Sequence, residues 1–422
     1  RYQLDMCDEI GLLVYQEHVG AWRMGNSPKI GERFERSVRA MVKRDRNHPS
    51  IVIWGILNET GGPVYEQGLR SLPWVRELDT SRVVLLSSGD SQFTKTNKVI
   101  ANRDLTDWVG GFVDTHPYRA VPHRLSEIDA LRNLGEGKVP VFHSEGGIGS
   151  GVDLARMARH YELLDATDCE DAQIGRRHLD QFMADWERWN LGDTFANPED
   201  YFHQCVAWMA ELRKLATNAL RANPNLVAYN VTGLVDPSTT GEGMLSSTFR
   251  ELKPGVVDAM FDALSPLRWC LFVEPVQIYS GGTARIEAVL ANEDVLPPGD
   301  YPVRFQVVGP RNESIFDRTL TVSIPDSAGG PEPSFAIPVL DEQIKIEGPL
   351  GKYRFLANFQ QGAAADGGNI EFYIADAEEM PAVEHEIVLW GDDAELADWL
   401  AKKGVATRSF QPGKPQTRHV TL

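Results

Sequence analysis

At 422 residues the chain is too long for one ordinary core and predicts roughly three domains of about 150 residues. Its 42% hydrophobic and 24% charged residues are those of a soluble globular protein. A formal net charge of -18 excludes a surface basic enough to grip nucleic acid. No apolar run of about eighteen residues occurs, so no membrane-spanning helix is expected. The four cysteines, Cys7, Cys169, Cys205 and Cys270, share no metal-ligand spacing. Reduced thiols, and with them a cytoplasmic location, are the expectation. The chain opens on Arg1 in what already reads as a helix, so the natural start and any export signal are expected to lie upstream.

Up to about Pro266, short apolar runs alternate with helical stretches. Strands are predicted at Leu12 to Gln16, Ile51 to Leu57, Val83 to Ser87, Gly111 to Thr115, Val139 to His143 and Leu226 to Val231. Amphipathic segments such as Phe34 to Arg44 and Phe202 to Arg221 lie between them, the pattern of parallel strands with crossover helices. A closed eight-stranded barrel and an open doubly wound sheet both fit. No glycine-rich phosphate loop follows any strand, which favours the barrel. After Pro266 the runs RWCLFVE, ARIEAVLAN, YPVRFQVVG, FDRTLTVSIP, KYRFLANF and IEFYIAD are separated by turn signals such as PPGD and ADGG. They predict an antiparallel, Ig-like β-sandwich of about seven strands. EIVLWG, DDAELADWLAKKG and VATRSF then read as strand, helix and strand, a partial α/β unit. The expected domains are residues 1–265, 266–378 and 379–422.

Two strand ends carry the chemistry. Ile51 to Leu57 is apolar on both faces, as a barrel strand must be, and runs into Asn58 and Glu59. VPVFHSEGG carries a second strand into Glu145. In a barrel of this type the C-terminal strand ends form the reactive face, so the two carboxylates are a candidate acid and nucleophile for a glycosidic bond.

RDRNHPSIVIWGILNE closely resembles the acid/base signature of glycoside hydrolase family 2, the family of β-galactosidases, β-glucuronidases and β-mannosidases. CDEIGLLVYQE resembles that family's third barrel strand with its preceding helix, DTHPY its sixth strand end, VPVFHSEGG its nucleophile strand and LVAYNVTGLVD its eighth strand. The resemblance covers residues 1 to about 265. It implies a TIM (β/α)8 barrel lacking its first two strands. The arginine and Ser-His-Tyr-like segment that end the family's second strand are absent with them, so these residues alone are expected not to turn over substrate.

The activity implied is that of a retaining exo-β-glycosidase acting on a carbohydrate substrate, with β-galactosides favoured. Glu145 is the implied nucleophile and Glu59 the implied acid/base, at a carboxyl separation of roughly 5 to 5.5 Å. Asn58 matches the asparagine that binds the sugar 2-hydroxyl. Tyr118 either donates to the nucleophile carboxylate or forms an aromatic wall. His116 either lines the pocket or packs. Glu17 and His18 are expected to end their strand on the reactive face, in reach of the sugar. They do not reproduce the Glu-x-His metal pair of some β-galactosidases, so no metal and no other cofactor is expected. An Asn-x-Lys element after the nucleophile, usual in β-glucuronidases, is missing; Asn97 and Lys98 precede Glu145. Arg44 to His48 precede their strand and are read as structural. A homo-oligomer is compatible with this reading, and nucleic-acid or membrane partners are not expected. The other class of protein considered is a catalytically silent carbohydrate-binding or scaffold barrel, against which both glutamates argue.

Residues 151 to 198 are longer than a simple crossover needs. The insertion is expected to overhang the pocket, where Trp186, Trp189 and Phe195 either stack on sugar or pack the extra helices. Asp165, Asp168, Glu170 and Asp171 read as solvated surface.

Overall fold

The computed structural model describes residues 2–20, 27–89, 99–137, 139–236, 241–246, 248, 250–327, 329–330, 332–379, 382–391 and 393–411. Val14–Glu17 (β1), Ile51–Asn58 (β2) and Val83–Ser88 (β3) run parallel, and the two-residue strand Ile100–Ala101 (β4) lies antiparallel beside β3. Val113–Thr115 (β5), Val141–His143 (β6) and Leu226–Tyr229 (β7) form a second parallel sheet. The six expected strands are therefore all present, within two residues of their predicted places, as two arcs of a partial barrel. Among the described residues, β1 pairs only with β2, and β7 only with β6.

Packing follows from the sequence periods. The helix Ile30–Asp45 buries Phe34, Val38, Met41 and Val42, one stripe at three- and four-residue spacing, against Trp54, Ile56 and Leu57 of β2. Each such side chain, fully buried, contributes about 1.5–3 kcal/mol. Polar contacts then fix where β2 begins. Arg44 pairs with the buried Asp45 at 2.6 Å. His48 Nδ1 lies 2.6 Å from Asp8 Oδ2, and the Ser50 amide donates to Asp8 Oδ1 at 2.9 Å. Arg82 donates to the carbonyls of His48 and Ile51, both at 2.7 Å. One strand further in, burial alone would raise Asp79, but hydrogen bonds from Ser81, Arg82 and Trp54 pull it down to about 2. The structural reading of Arg44 to His48 holds: they form a network at the strand's entry.

The second region pairs Leu267–Glu274 (β8), Gln277–Tyr279 (β9), Thr283–Asn292 (β10), Gly299–Val308 (β11), Ser314–Ile324 (β12), Ala336–Lys345 (β13), Gly351–Phe359 (β14) and Asn369–Ala375 (β15). They make sheets β13-β10-β8 and β12-β11-β14-β15-β9, antiparallel except where β9 joins β15. Val303, Phe305 and Val307 face inward at every second position of β11, and meet Trp269, Ile286, Phe355 and Phe372 in one core between the sheets. Two strands, β9 and β13, are not among those predicted. In β13 Pro338 interrupts the signal; it is tolerated because β13 is an edge strand and the ladder shifts register at its partner, Val289. Ile387–Leu389 (β16) and Thr407–Ser409 (β17) run parallel, joined by the helix Ala394–Lys402.

Ion pairs tie the first two regions together. Arg221, fully buried, donates to Glu293 Oε1 at 2.9 Å, which also accepts from the Tyr229 hydroxyl at 3.0 Å. Arg132 pairs with Glu287.

The insertion forms helices Leu154–Leu163 and Glu170–Arg188 before the long helix Pro198–Arg221. Trp186 is buried against Phe182 and Phe195, and Phe182 meets Tyr201 and Phe202. These rings pack the helices together. For Trp186 and Phe195 that is the packing alternative, not a sugar platform. Trp189 is more exposed and is covered by the Arg188 guanidinium. No helix among the described residues is long and apolar enough to cross a membrane, and all four cysteines are free thiols.

Candidate active site

At the end of β2 the backbone turns sharply. Glu59 adopts φ 46°, a left-handed conformation that a side-chain-bearing residue enters only at a cost. Neighbouring strand ends hold it there. The Glu59 amide donates to Ser88 O at 2.9 Å, and the Asn58 amide to Gly20 O at 2.8 Å.

From β5 and the loop after it come His116 and Tyr118, and from β6 comes Glu145. His116 Nδ1 lies 2.7 Å from Glu59 Oε1 and 3.7 Å from Glu145 Oε2. Tyr118 donates to Glu145 Oε1 at 2.7 Å, so its expected contact with the second carboxylate is present. Burial and that hydrogen bond push the Tyr118 phenol up. One ligating atom from each of Glu59, His116 and Glu145 falls within 4.8 Å of the others. The histidine side chain is 1% exposed and each glutamate 28%. The imidazole is thus a buried wedge between two carboxylates that still reach solvent.

Glu17 lies at the same end of the barrel. It accepts from Tyr15 at 2.9 Å, and Ser88 Oγ lies 2.8 Å from both Glu17 Oε1 and Asn58 Oδ1. That hydroxyl has one proton and can give it to only one of them at a time. Burial, with the nearby Glu145 charge, raises the Glu17 carboxyl. His18 is a correction. It does not face the sugar side: it is buried, its Nε2 lies 2.8 Å from Ser37 Oγ, its Nδ1 accepts from the Gly20 amide, and its ring packs edge-on against Phe34. Adjacent residues of a strand point to opposite sides, so Glu17 facing in sends His18 out.

Several supporting residues escape a motif search. Ser88 is one. Asp114, inside the DTHPY run, is buried; burial pushes it to about 6, against hydrogen bonds from Ser144 and the Gly89 amide. Burial likewise pushes His143 down to about 4. The loop carrying Glu145 is clamped to the loop after β7: the Gly146 amide donates to Thr232 Oγ1 at 3.0 Å, and the Thr232 amide to Gly146 O at 2.9 Å. A Cβ on Gly147 would lie 2.3 Å from the Thr232 carbonyl oxygen, which is why a glycine follows there.

Among the described residues, two side-chain sets have the donors to hold a divalent cation: Glu59, His116 and Glu145, and at the opposite end of the barrel Asp5, Asp8 and His48. Each set already satisfies its imidazole Nδ1 by a direct carboxylate contact, at 2.7 and 2.6 Å. Asn97 and Lys98 lie outside the described residues.

A family model described as glycosyl hydrolases family 2, TIM barrel domain, matches residues 2–109. The protein named Beta-galactosidase 2 from Enterobacter cloacae is 32% identical over 124 residues, which is 28% of this chain and 11% of that protein. A crystal structure of β-D-mannosidase from Dictyoglomus thermophilum superposes with a TM-score of 0.54 at 16% identity, over 88% of this chain and 44% of that one. That likeness is one of fold. The chain spans less than half the length of either relative.

Proposed function

Because the chain belongs to glycosyl hydrolase family 2 through its barrel segment at residues 2–109, we propose that it carries the active site of a retaining exo-β-glycosidase, with Glu145 as nucleophile and Glu59 as acid/base. One observation carries the reading. Carboxylate oxygens of the two glutamates fall within 4.8 Å of each other, with His116 Nδ1 between them. Retaining enzymes hold their carboxyl groups about 5 to 5.5 Å apart, whereas inverting enzymes need about 6.5 to 9.5 Å to admit a water.

In the first step Glu145 attacks the anomeric carbon as Glu59 passes its proton to the departing glycosidic oxygen. The carbon–oxygen bond to the leaving group breaks and a glycosyl ester forms on Glu145. In the second step Glu59, now a carboxylate, takes a proton from water, whose oxygen attacks the same carbon and frees Glu145. Tyr118, engaging Oε1, leaves Oε2 as the freer oxygen for attack. His116 fixes the Glu59 carboxyl from behind. Asn58 holds the sugar 2-hydroxyl, a contact that strengthens as the oxocarbenium-like transition state forms.

The substrate is a terminal β-linked sugar, with galactose the favoured unit. The name of the Enterobacter relative supports this, as does the absence of Asn-x-Lys after Glu145. In this reading residues 1–265 are the catalytic unit, 266–378 an Ig-like sandwich beneath it and 379–422 a further small α/β unit. The test is a 2-deoxy-2-fluoro-β-galactosyl reagent with a good leaving group, applied to the full-length protein. Peptide mass spectrometry should find the adduct on Glu145, and an adduct on any other residue overturns the assignment.

A further inference from the structure

Behind the loop that follows Glu145 is a cavity of about 40 Å³. Arg119, His123, His143 and Arg213 line it, together with Gly146 and Gly147. Arg213 rises from the long helix and is 2% exposed. Its Nε donates to Ile148 O at 3.2 Å, and its Nη2 to Thr232 O at 2.9 Å and to Glu242 O. These carbonyls hold the guanidinium plane without neutralising its charge, and among the described residues Nη1 has no hydrogen-bond partner.

The rest of the lining repeats the pattern. Arg119 Nε, His143 Nδ1 and His123 Nε2 are buried and unpartnered. Among the described residues neither Arg119 nor Arg213 has a carboxylate oxygen within 4.0 Å. The acids nearest in charge to Arg213 act on it only from beyond 4.0 Å: Asp236 binds Lys253 at 2.7 Å, and Glu242 makes its direct contact with Arg213 through its backbone carbonyl. A guanidinium sealed from water with an orphan N–H and no carboxylate in direct contact is unfavourable. That buried cation, with the orphan Nε of Arg119 and the ring nitrogens of His143 and His123 facing the same space, calls for something negative within it.

We propose that this cavity binds a monatomic anion of halide size, and that the anion braces the loop carrying Glu145. The volume holds little more than one such ion. The other walls are apolar apart from Thr217, and include Leu131, Leu220 and Met260; this mixture of donors and hydrocarbon selects a weakly hydrated ion. The bracing follows from connectivity. Arg213 bonds Ile148 on one loop and Thr232 on the other, so whatever fixes Arg213 fixes both sides of the clamp around Glu145.

Binding is read without any assay of catalysis. Thermal melting of the whole chain in sodium bromide, chloride or gluconate at equal ionic strength should show a saturable rise of a few degrees with either halide and none with gluconate. Diffraction from crystals grown in bromide should place an anomalous peak beside Arg213 Nη1. Arg119→Gln, at a half-exposed position, should leave the fold intact and raise the bromide midpoint at least about tenfold, the equivalent of one charge-assisted hydrogen bond. Arg213→Met should abolish the halide response if it folds. Equal melting in halide and gluconate, or density that holds water only, overturns the proposal.

Discussion

Tyr118 donates its phenolic hydrogen bond to Oε1 of Glu145 at 2.7 Å, across 27 residues of chain and from the loop after a different strand. A bond from a neutral donor to a carboxylate is worth about 1.5–3 kcal/mol. Tyr118→Phe should therefore slow formation of the fluoroglycosyl adduct by roughly ten- to a hundredfold. Stability should change little, since the tyrosine is 44% exposed. An unchanged labelling rate in the folded variant would show that the bond does not orient the nucleophile.

In the full-length protein, Glu59→Ala removes the proposed proton donor but not the proposed nucleophile. Aryl glycosides with very good leaving groups should still glycosylate Glu145 at near the parent rate, whereas poor leaving groups should lose several orders of magnitude. Azide, small enough to occupy the vacated carboxyl site, should restore release of the sugar as a β-glycosyl azide. Equal losses for good and poor leaving groups, without azide rescue, would rule out the acid/base role.

Asp114 supplies a pH test. Burial lifts its folded value to about 6, above the ordinary carboxylate range, so the native state holds this proton more tightly than the unfolded chain does. Its contribution to stability is accordingly present in acid and lost as pH rises from about 4 to about 6, by about 3 kcal/mol at most. Asp114→Asn should flatten that part of the curve and be the more stable protein near neutrality. Urea unfolding at several pH values checks this. Parallel curves for parent and variant would refute it.

Gly147→Ala forces a methyl group to within 2.3 Å of a backbone oxygen that cannot swing away. The Glu145 loop must part from Thr232, and labelling should fall by more than tenfold while the far sandwich keeps its own melting transition. A variant that labels normally would show that the clamp has slack.

Much of this was legible because it is local. The six barrel strands announce themselves as apolar runs, and both glutamates follow such runs directly. What stayed hidden depends on distance or on geometry without a sequence period. Ser88 reaches Asn58 and Glu17 from 30 and 71 residues away, which no spacing rule foresees. The short strands β4 and β9 span only two and three residues. Strand β13 is masked by Pro338, which only its edge position permits. Trp186 and Trp189 show the limit of helical spacing, which sets aromatic rings on one face without saying whether a ligand or another helix lies against it. His18 was a different kind of miss. Alternation along β1 already opposed it to Glu17, and reading that alternation through to the strand end would have placed it correctly.

The left-handed backbone at Glu59 sets stability against function at a single position. Glycine adopts φ 46° freely, and relieving a residue held in this region is worth about 1 kcal/mol. The same replacement discards the carboxyl that faces His116. Selection for heat resistance alone would favour glycine at position 59 and erase the proposed proton donor. A library screened first for melting temperature should therefore be enriched in variants that have gained robustness by losing this carboxyl.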